Sequence, residues 1–198
     1  VYTTQAKTKK GNRKCEIALR ENEFWDAISY VNTGEYNNKS EIEKLWKKIL
    51  VNQFHDILPG TSIKRVHDEA QADFDSVMEN SINLLDKTLS SLGHEKGLSI
   101  FNSLGHDRYE IVEIPDEYLT KFGKYTQKMK DKSYACLVIP AAGHISMGEA
   151  LKVLESESVL PDKDIPLCNF DGNYIENEVI KFKITSTGEI SEIIDKKT

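Results

Sequence analysis

Asn52-Gln53-Phe54-His55-Asp56-Ile57-Leu58-Pro59-Gly60-Thr61-Ser62-Ile63 is the stretch on which the reading of this chain turns. Proline has no amide hydrogen to continue a helix and glycine tolerates left-handed backbone, so Pro59-Gly60 breaks helical structure. Amphipathic patterns run up to this stretch and away from it, which makes it a junction between two helices. A histidine and an aspartate stand at its mouth. The residues alone allow a capped interhelical turn or a ligand site.

Upstream, Ile42, Leu45, Trp46, Ile49, Leu50 and Gln53 trace one face at helical spacing. Ser40-Glu41-Ile42-Glu43 has the capping-box form, which predicts a helix beginning at Ser40. Downstream, Ile63, Val66, Ala70, Phe74, Val77, Ser81, Leu84, Thr88 and Leu92 alternate three and four apart. That stripe predicts a long helix from Thr61 or Ser62, closed by Gly93, with partner helices along its length. Before both, Ile17, Phe24, Ile28 and Val31 place a helix over about 12–31, ended by Asn32-Thr33-Gly34. Residues 1–12 are polar and read as a connecting segment. Three amphipathic helices joined by short turns predict a three-helix bundle.

The period then changes. Gly93-His94-Glu95-Lys96-Gly97 reads as a linker, and Leu98–Asn102, Tyr109–Ile114 and Tyr134–Ile139 read as strands. Val179–Ile184 alternates apolar residues with lysine, turns at 185–188, and pairs back through 189–194 as a hairpin. Residues 120–133, rich in lysine, and 155–169, with Pro161 and Pro166, are expected to be loops. The lysines of the first loop are expected to be simply solvated. The expected fold is α + β and multidomain: a three-helix bundle over 1–95, then a mostly-β, sandwich-like and incomplete domain over 96–198. The opening at Val1 and the final strand near Lys197-Thr198 suggest a piece of a longer protein, and open sheet edges suggest a homo-oligomer.

A net charge of −6 offers no basic excess to neutralise phosphates, which argues against a nucleic-acid partner. No apolar run approaches the ~20 residues of a membrane span, and no signal peptide opens the chain. Cys15, Cys136 and Cys168 lack Cys-x-x-Cys spacing and are expected to be buried free thiols of a reducing compartment. Asn38-Lys39-Ser40 fits a glycosylation sequon, a pattern short enough to arise by chance.

His-Asp occurs three times, as His55-Asp56, His67-Asp68 and His106-Asp107, so the dipeptide by itself carries no information. The second and third pairs are expected at the surface, and no His-x-x-x-His or clustered carboxylate set completes a metal site. What distinguishes the first pair is its setting. Leu45-Trp46-Lys47 together with Asn52 through Ile63 resembles the segment shared by class II α-mannosidases, glycoside hydrolase family 38. Tyr2-Thr3-Thr4-Gln5 with Asn12-Arg13, and Ile175-Glu176-Asn177-Glu178 with Gly188-Glu189-Ile190, resemble the flanks of that family's helical middle domain and the start of its large β region. The overall form resembles the bacterial branch, which implies a cytoplasmic protein.

The resemblance implies that His55 is one ligand of a catalytic Zn2+ and that Asp56 contacts hydroxyls of an α-linked mannose in an oligosaccharide. It implies that the remaining ligands, the nucleophile and the acid/base carboxylate lie in a preceding domain, so no catalytic residue is expected in this chain. Retaining glycoside hydrolysis needs two flanking carboxylates, and this division leaves both elsewhere. The chain alone is therefore expected to hydrolyse nothing and to bind zinc weakly. The alternative is a non-catalytic helical and β-sandwich module that binds carbohydrate or protein.

Overall fold

The structure is a computed structural model that describes residues 3–93, 97–155, 169–170 and 172–197. The chain divides into two compact units, residues 1–151 and 152–198. The first holds three long helices, α1 (Ala6–Thr33), α2 (Lys39–Asn52) and α3 (Lys64–Leu92). Their interior is formed by Cys15 and Leu19 of α1, Leu45 and Ile49 of α2, and Ala70, Phe74 and Val77 of α3. On α2 and α3 the expected stripes supply this core, apart from the exposed Leu50 and Ile63, but on α1 the expected face is wrong: Ile17 and Val31 point outward, and the buried face runs through Cys15, Leu19, Asn22 and Trp25 instead. Cross-links place Cys15 beside Phe74, Asn22 beside Ser81, and Asp26 with Thr88 through Asn38. The numbers rise together along both helices, so α1 and α3 run parallel and α2 returns between them.

One glycine sets how closely α1 meets α3. A Cβ on Gly11 would stand 2.6 Å from Phe74 Cδ2 and 2.9 Å from Cγ, so the aromatic ring occupies the space a side chain would take. Gly34 takes φ 77° and its amide donates to the Tyr30 carbonyl at 2.7 Å, ending α1 as expected.

Several local expectations give way to packing. α1 begins at Ala6, well before residue 12, because Thr8 and Asn12 are themselves buried against the bundle. The capping box does not form. Ser40 lies inside α2, whose N-cap is Asn38, and the Asn38 amide instead donates to Asp26 Oδ1 and Thr88 Oγ1. α3 starts at Lys64 rather than Thr61 or Ser62. His67 is buried in the bundle, not exposed on its surface, and among the described residues neither ring nitrogen has a hydrogen-bond partner.

The same unit contains β1 (Ser99–Asn102), β2 (Arg108–Ile114), β3 (Thr126–Met129), β4 (Lys132–Ile139) and β5 (Gly143–Ser146), all antiparallel. β1 pairs with β5, and β4 lies between β2 and β3. Residues 120–133 are therefore not a loop: a short helix, α4 (Leu119–Phe122), and β3 occupy them. Their lysines are not all merely solvated. Lys128 pairs with Asp116 and Lys132 with Glu113. The Lys128 hydrogen bond, then that of Ser133, holds the Asp116 carboxyl below its ordinary range. Trp25 of α1 meets Phe101 of β1 edge-on at 5.2 Å, and Arg20 and Glu21 both bond Ser103, which joins the bundle to these strands.

Cys15 is buried, and burial, with Asp75 adding to it, pushes its thiol up to about 11. Cys136 departs from expectation. It is exposed, because it alternates outward from the buried Ala135 and Leu137 on β4. Helix α5 (Met147–Glu155) follows β5. The second unit contains an antiparallel sheet, β6 (Asn169–Phe170), β7 (Tyr174–Glu176), β8 (Ile180–Ile184) and β9 (Ile190–Asp195), in that order. The expected hairpin is β8–β9, with an irregularity between Lys183 and Ile184. Cys168, His94 and nearly all of 155–169 lie outside the described residues. No helix among the described residues is long and apolar enough to cross a membrane.

Candidate functional site

The turn between α2 and α3 is held from both sides. At the end of α2 the Asn52 side chain points inward, donating to the Lys48 carbonyl at 3.0 Å and to Asp73 Oδ2 of α3 at 3.1 Å. Gln53 reaches the other neighbour. Its Nε2 donates to Asn12 Oδ1 at 3.0 Å and to Glu16 Oε1 at 2.9 Å, both on α1. Consecutive residues at the end of one helix thus tie it to the other two. Past them the backbone makes one compact turn, with the Ile57 and Leu58 amides donating to the Phe54 carbonyl and Gly60 to that of Ile57. Ile57 packs against the core cluster.

The far side of the turn is fastened to the start of α1. Lys9 Nζ donates to the Pro59 carbonyl at 3.2 Å. Gly60 has φ 92°, and a Cβ there would stand 3.0 Å from Gln5 Cγ and 3.2 Å from Thr4 Cγ2. Glycine is required on both counts: left-handed backbone and close approach of another segment. Gln5 is itself left-handed at φ 53°, an uncommon state for a residue with a side chain, and it sits against this glycine.

Between these anchors three residues face outward. The side chains of His55 and Asp56 are 76% and 58% exposed, and His55 Nε2 lies 3.5 Å from Asp56 Oδ2. The Phe54 ring lies over the imidazole, with centroids 4.1 Å apart at 49°. The Thr61 hydroxyl stands 3.4 Å from both the Asp56 carbonyl and Oδ1, a long contact that leaves the carboxylate able to accept other donors. The capped-turn role is thus present in weak form. The bundle places an imidazole and a carboxylate side by side and uses neither in its core.

As a donor set, His55 and Asp56 suit a metal ion and a hydroxylated ligand. A neutral imidazole is a common zinc ligand, and an ionised carboxylate accepts hydroxyl hydrogens. They do not make a complete metal site, and no group of three or more His, Cys, Asp or Glu gathers into one among the described residues. The other His-Asp pairs do not join them. Asp107 accepts a hydrogen bond from the Ala141 amide, and His67 is interior. Sequence reasoning did not single out Asn12, Asn52 and Lys9 as anchors of the turn. The available signal was polar side chains, Asn12, Asn52 and Gln53, at positions where the helical repeat faces the core.

Residues 1–92 match the family described as the α-mannosidase middle domain. Over 98% of its length the chain is 38% identical to α-mannosidase G of Dictyostelium discoideum and 26% identical to human α-mannosidase 2C1, spanning 21% and 18% of those proteins. Among solved structures it is similar to a glycosyl hydrolase family 38 protein from Enterococcus faecalis, with a TM-score of 0.55, 20% identity, and coverage of 96% of this chain and 29% of that one. A second match is an α-mannosidase from Enterococcus faecalis V583, with a TM-score of 0.50, 17% identity and coverage of 94% and 28%. The chain therefore spans about a fifth of the length of these curated relatives. Residues 1–92 thus belong to the α-mannosidase middle-domain family, and over nearly its whole length the chain is similar to parts of α-mannosidases.

Proposed function

We propose that this chain serves a retaining, zinc-dependent α-mannosidase by supplying His55 as a metal ligand and Asp56 as a contact to an α-linked mannose in an oligosaccharide. The nucleophile, the acid/base carboxylate and the other metal ligands then come from further polypeptide of the same protein. The observation that carries this reading is the double anchoring of the turn: Asn52 to α3, Gln53 to α1, and His55-Asp56 left exposed between them. A bundle that only needed to connect α2 to α3 has no use for an imidazole and a carboxylate fixed in this way.

Each residue has a distinct part. His55 presents an imidazole nitrogen at the turn surface as a ligand donor. Asp56, acceptor-only when ionised, takes two hydroxyl hydrogens and orients the sugar ring. Zinc held there supplies Lewis-acid orientation of sugar hydroxyls. The anchors keep both side chains in place when substrate arrives, which lowers the entropy lost on binding. The free thiol of Cys15, buried in the core, suits the reducing cytoplasmic setting that the resemblance implies.

The test is hydrolysis of an aryl α-mannoside by the full-length protein, with and without a chelator, for wild type and His55→Ala. Turnover that the chelator stops and His55→Ala abolishes is the expected result. Full activity in His55→Ala removes the ligand role, and no turnover of any mannoside removes the enzyme reading.

A further inference from the structure

The side chain of His55 is exposed, yet it has a neighbour that orders it. Gln53, two residues earlier, is bonded to α1. The Phe54 amide donates to the Val51 carbonyl, and the Phe54 carbonyl accepts the Ile57 and Leu58 amides. These bonds fix where the side chains of Phe54 and His55 leave the backbone. Ile57 packs on the bundle core, but Phe54 is 54% exposed and its ring lies on the imidazole, with centroids 4.1 Å apart at 49°. An apolar ring held at the surface, outside the core, needs a reason, and the imidazole contact supplies one.

A histidine that binds a metal through one nitrogen is usually oriented through the other, by a hydrogen bond to a carboxylate or carbonyl. Among the described residues neither nitrogen of His55 has such a bond. Asp56 Oδ2 lies 3.5 Å from Nε2, longer than an ordinary hydrogen bond. A ring contact orders an imidazole in a different way. It covers a π face, whereas the nitrogen lone pair and the N–H bond lie in the ring plane, so neither nitrogen is used up. An imidazole held by its face has fewer orientations to lose when a metal binds, and a ligand ordered beforehand binds more tightly.

We propose that Phe54 is a positioning residue for His55, its ring holding the imidazole in the orientation from which it binds zinc, a role that rests on the zinc-ligand reading above. Phe54 touches neither metal nor sugar in this role and acts only through its neighbour. The aromatic face is the part that matters. A leucine offers apolar bulk at the same place but no flat surface for the imidazole to lie against, whereas a tyrosine keeps the ring.

The experiment measures the zinc affinity of the full-length protein by competition with a chromophoric chelator. Wild type is compared with Phe54→Ala, Phe54→Leu and Phe54→Tyr, each alone and combined with His55→Ala. Phe54→Ala and Phe54→Leu are expected to weaken zinc binding about three- to tenfold, the range of an aromatic pair contact, and Phe54→Tyr by less than about twofold. In the His55→Ala background the same Phe54 changes should alter the affinity by less than about twofold, since the ring has no ligand left to order. Wild-type affinity in Phe54→Ala or in Phe54→Leu overturns the role, as does a loss in Phe54→Tyr equal to that in Phe54→Ala. A loss that persists undiminished in the His55→Ala background overturns it equally, because Phe54 then acts on something other than His55. His55→Ala alone separates the two readings. If it leaves the zinc affinity unchanged, the zinc-ligand reading falls and the Phe54 role with it; if it weakens zinc binding while the Phe54 variants do not, only the Phe54 role is lost.

Discussion

Replacing Gln53 with alanine tests whether the turn is held by its neighbours or merely follows from helix geometry. Gln53 donates to Asn12 Oδ1 at 3.0 Å and to Glu16 Oε1 at 2.9 Å. A neutral hydrogen bond contributes about 1 kcal/mol net, and one to a charged group about 1.5–3 kcal/mol. The Glu16 side chain is partly exposed and is shared with Arg13, which puts its bond at the low end. Gln53→Ala is therefore expected to cost about 2 kcal/mol. The decisive quantity is the coupling to Glu16, read from a cycle of Gln53→Ala, Glu16→Ala and the double variant. Urea unfolding followed by far-ultraviolet circular dichroism reports mainly on the helices, and the expected coupling is about 1 kcal/mol. A coupling within about 0.3 kcal/mol of zero refutes the anchoring argument, even if Gln53→Ala alone destabilises.

Gly11→Ala gains about 1 kcal/mol of helix propensity but forces a methyl group into the Phe74 ring, which costs about 1–3 kcal/mol, so urea unfolding should show a net loss near 1 kcal/mol. Combining it with Phe74→Leu should remove part of that overpacking penalty. His67→Leu is expected to stabilise the bundle by about 1 kcal/mol, since it removes two interior nitrogens that find no partner among the described residues; a destabilised variant would mean the ring is satisfied in solution. Asp116 ionises more easily in the fold than in the unfolded chain, so its stabilisation is present above its ordinary pKa and is lost as pH falls through the lowered folded value. Amide protection factors in β3, that is, exchange rates corrected for their intrinsic pH dependence, should therefore fall on acidification in wild type, and Asp116→Asn should flatten that dependence.

The bundle was legible because its signal is periodic. The stripes through Ile42, Leu45 and Ile49 and through Ala70, Phe74 and Val77 are the core. What the sequence concealed is contact between residues far apart in the chain. Asn38 carries a good sequence case for lying outside a Ser40-capped helix, yet its amide is needed 12 and 50 residues away, at Asp26 and Thr88. His67 reads as polar and local, but its position on the α3 stripe takes it inside. β3 was hidden because a four-residue strand of Thr126-Gln127-Lys128-Met129 has no apolar alternation, and only pairing with β4 defines it. The His55-Asp56 pair stood out through its setting and not its chemistry. Its anchors were missed because hydrogen bonds across helices leave no spacing in the sequence.

The separation of labour within the turn has an evolutionary corollary. Asn52, Gln53, Ile57 and Gly60 carry the structure, whereas Phe54, His55 and Asp56 project from it and contribute no core packing. The three projecting residues form a replaceable cassette. A lineage can sample new chemistry there without renegotiating the scaffold, and a combinatorial library confined to those positions should return folded proteins at high frequency. Variation one residue to either side, at Gln53 or Ile57, would cost stability in most members.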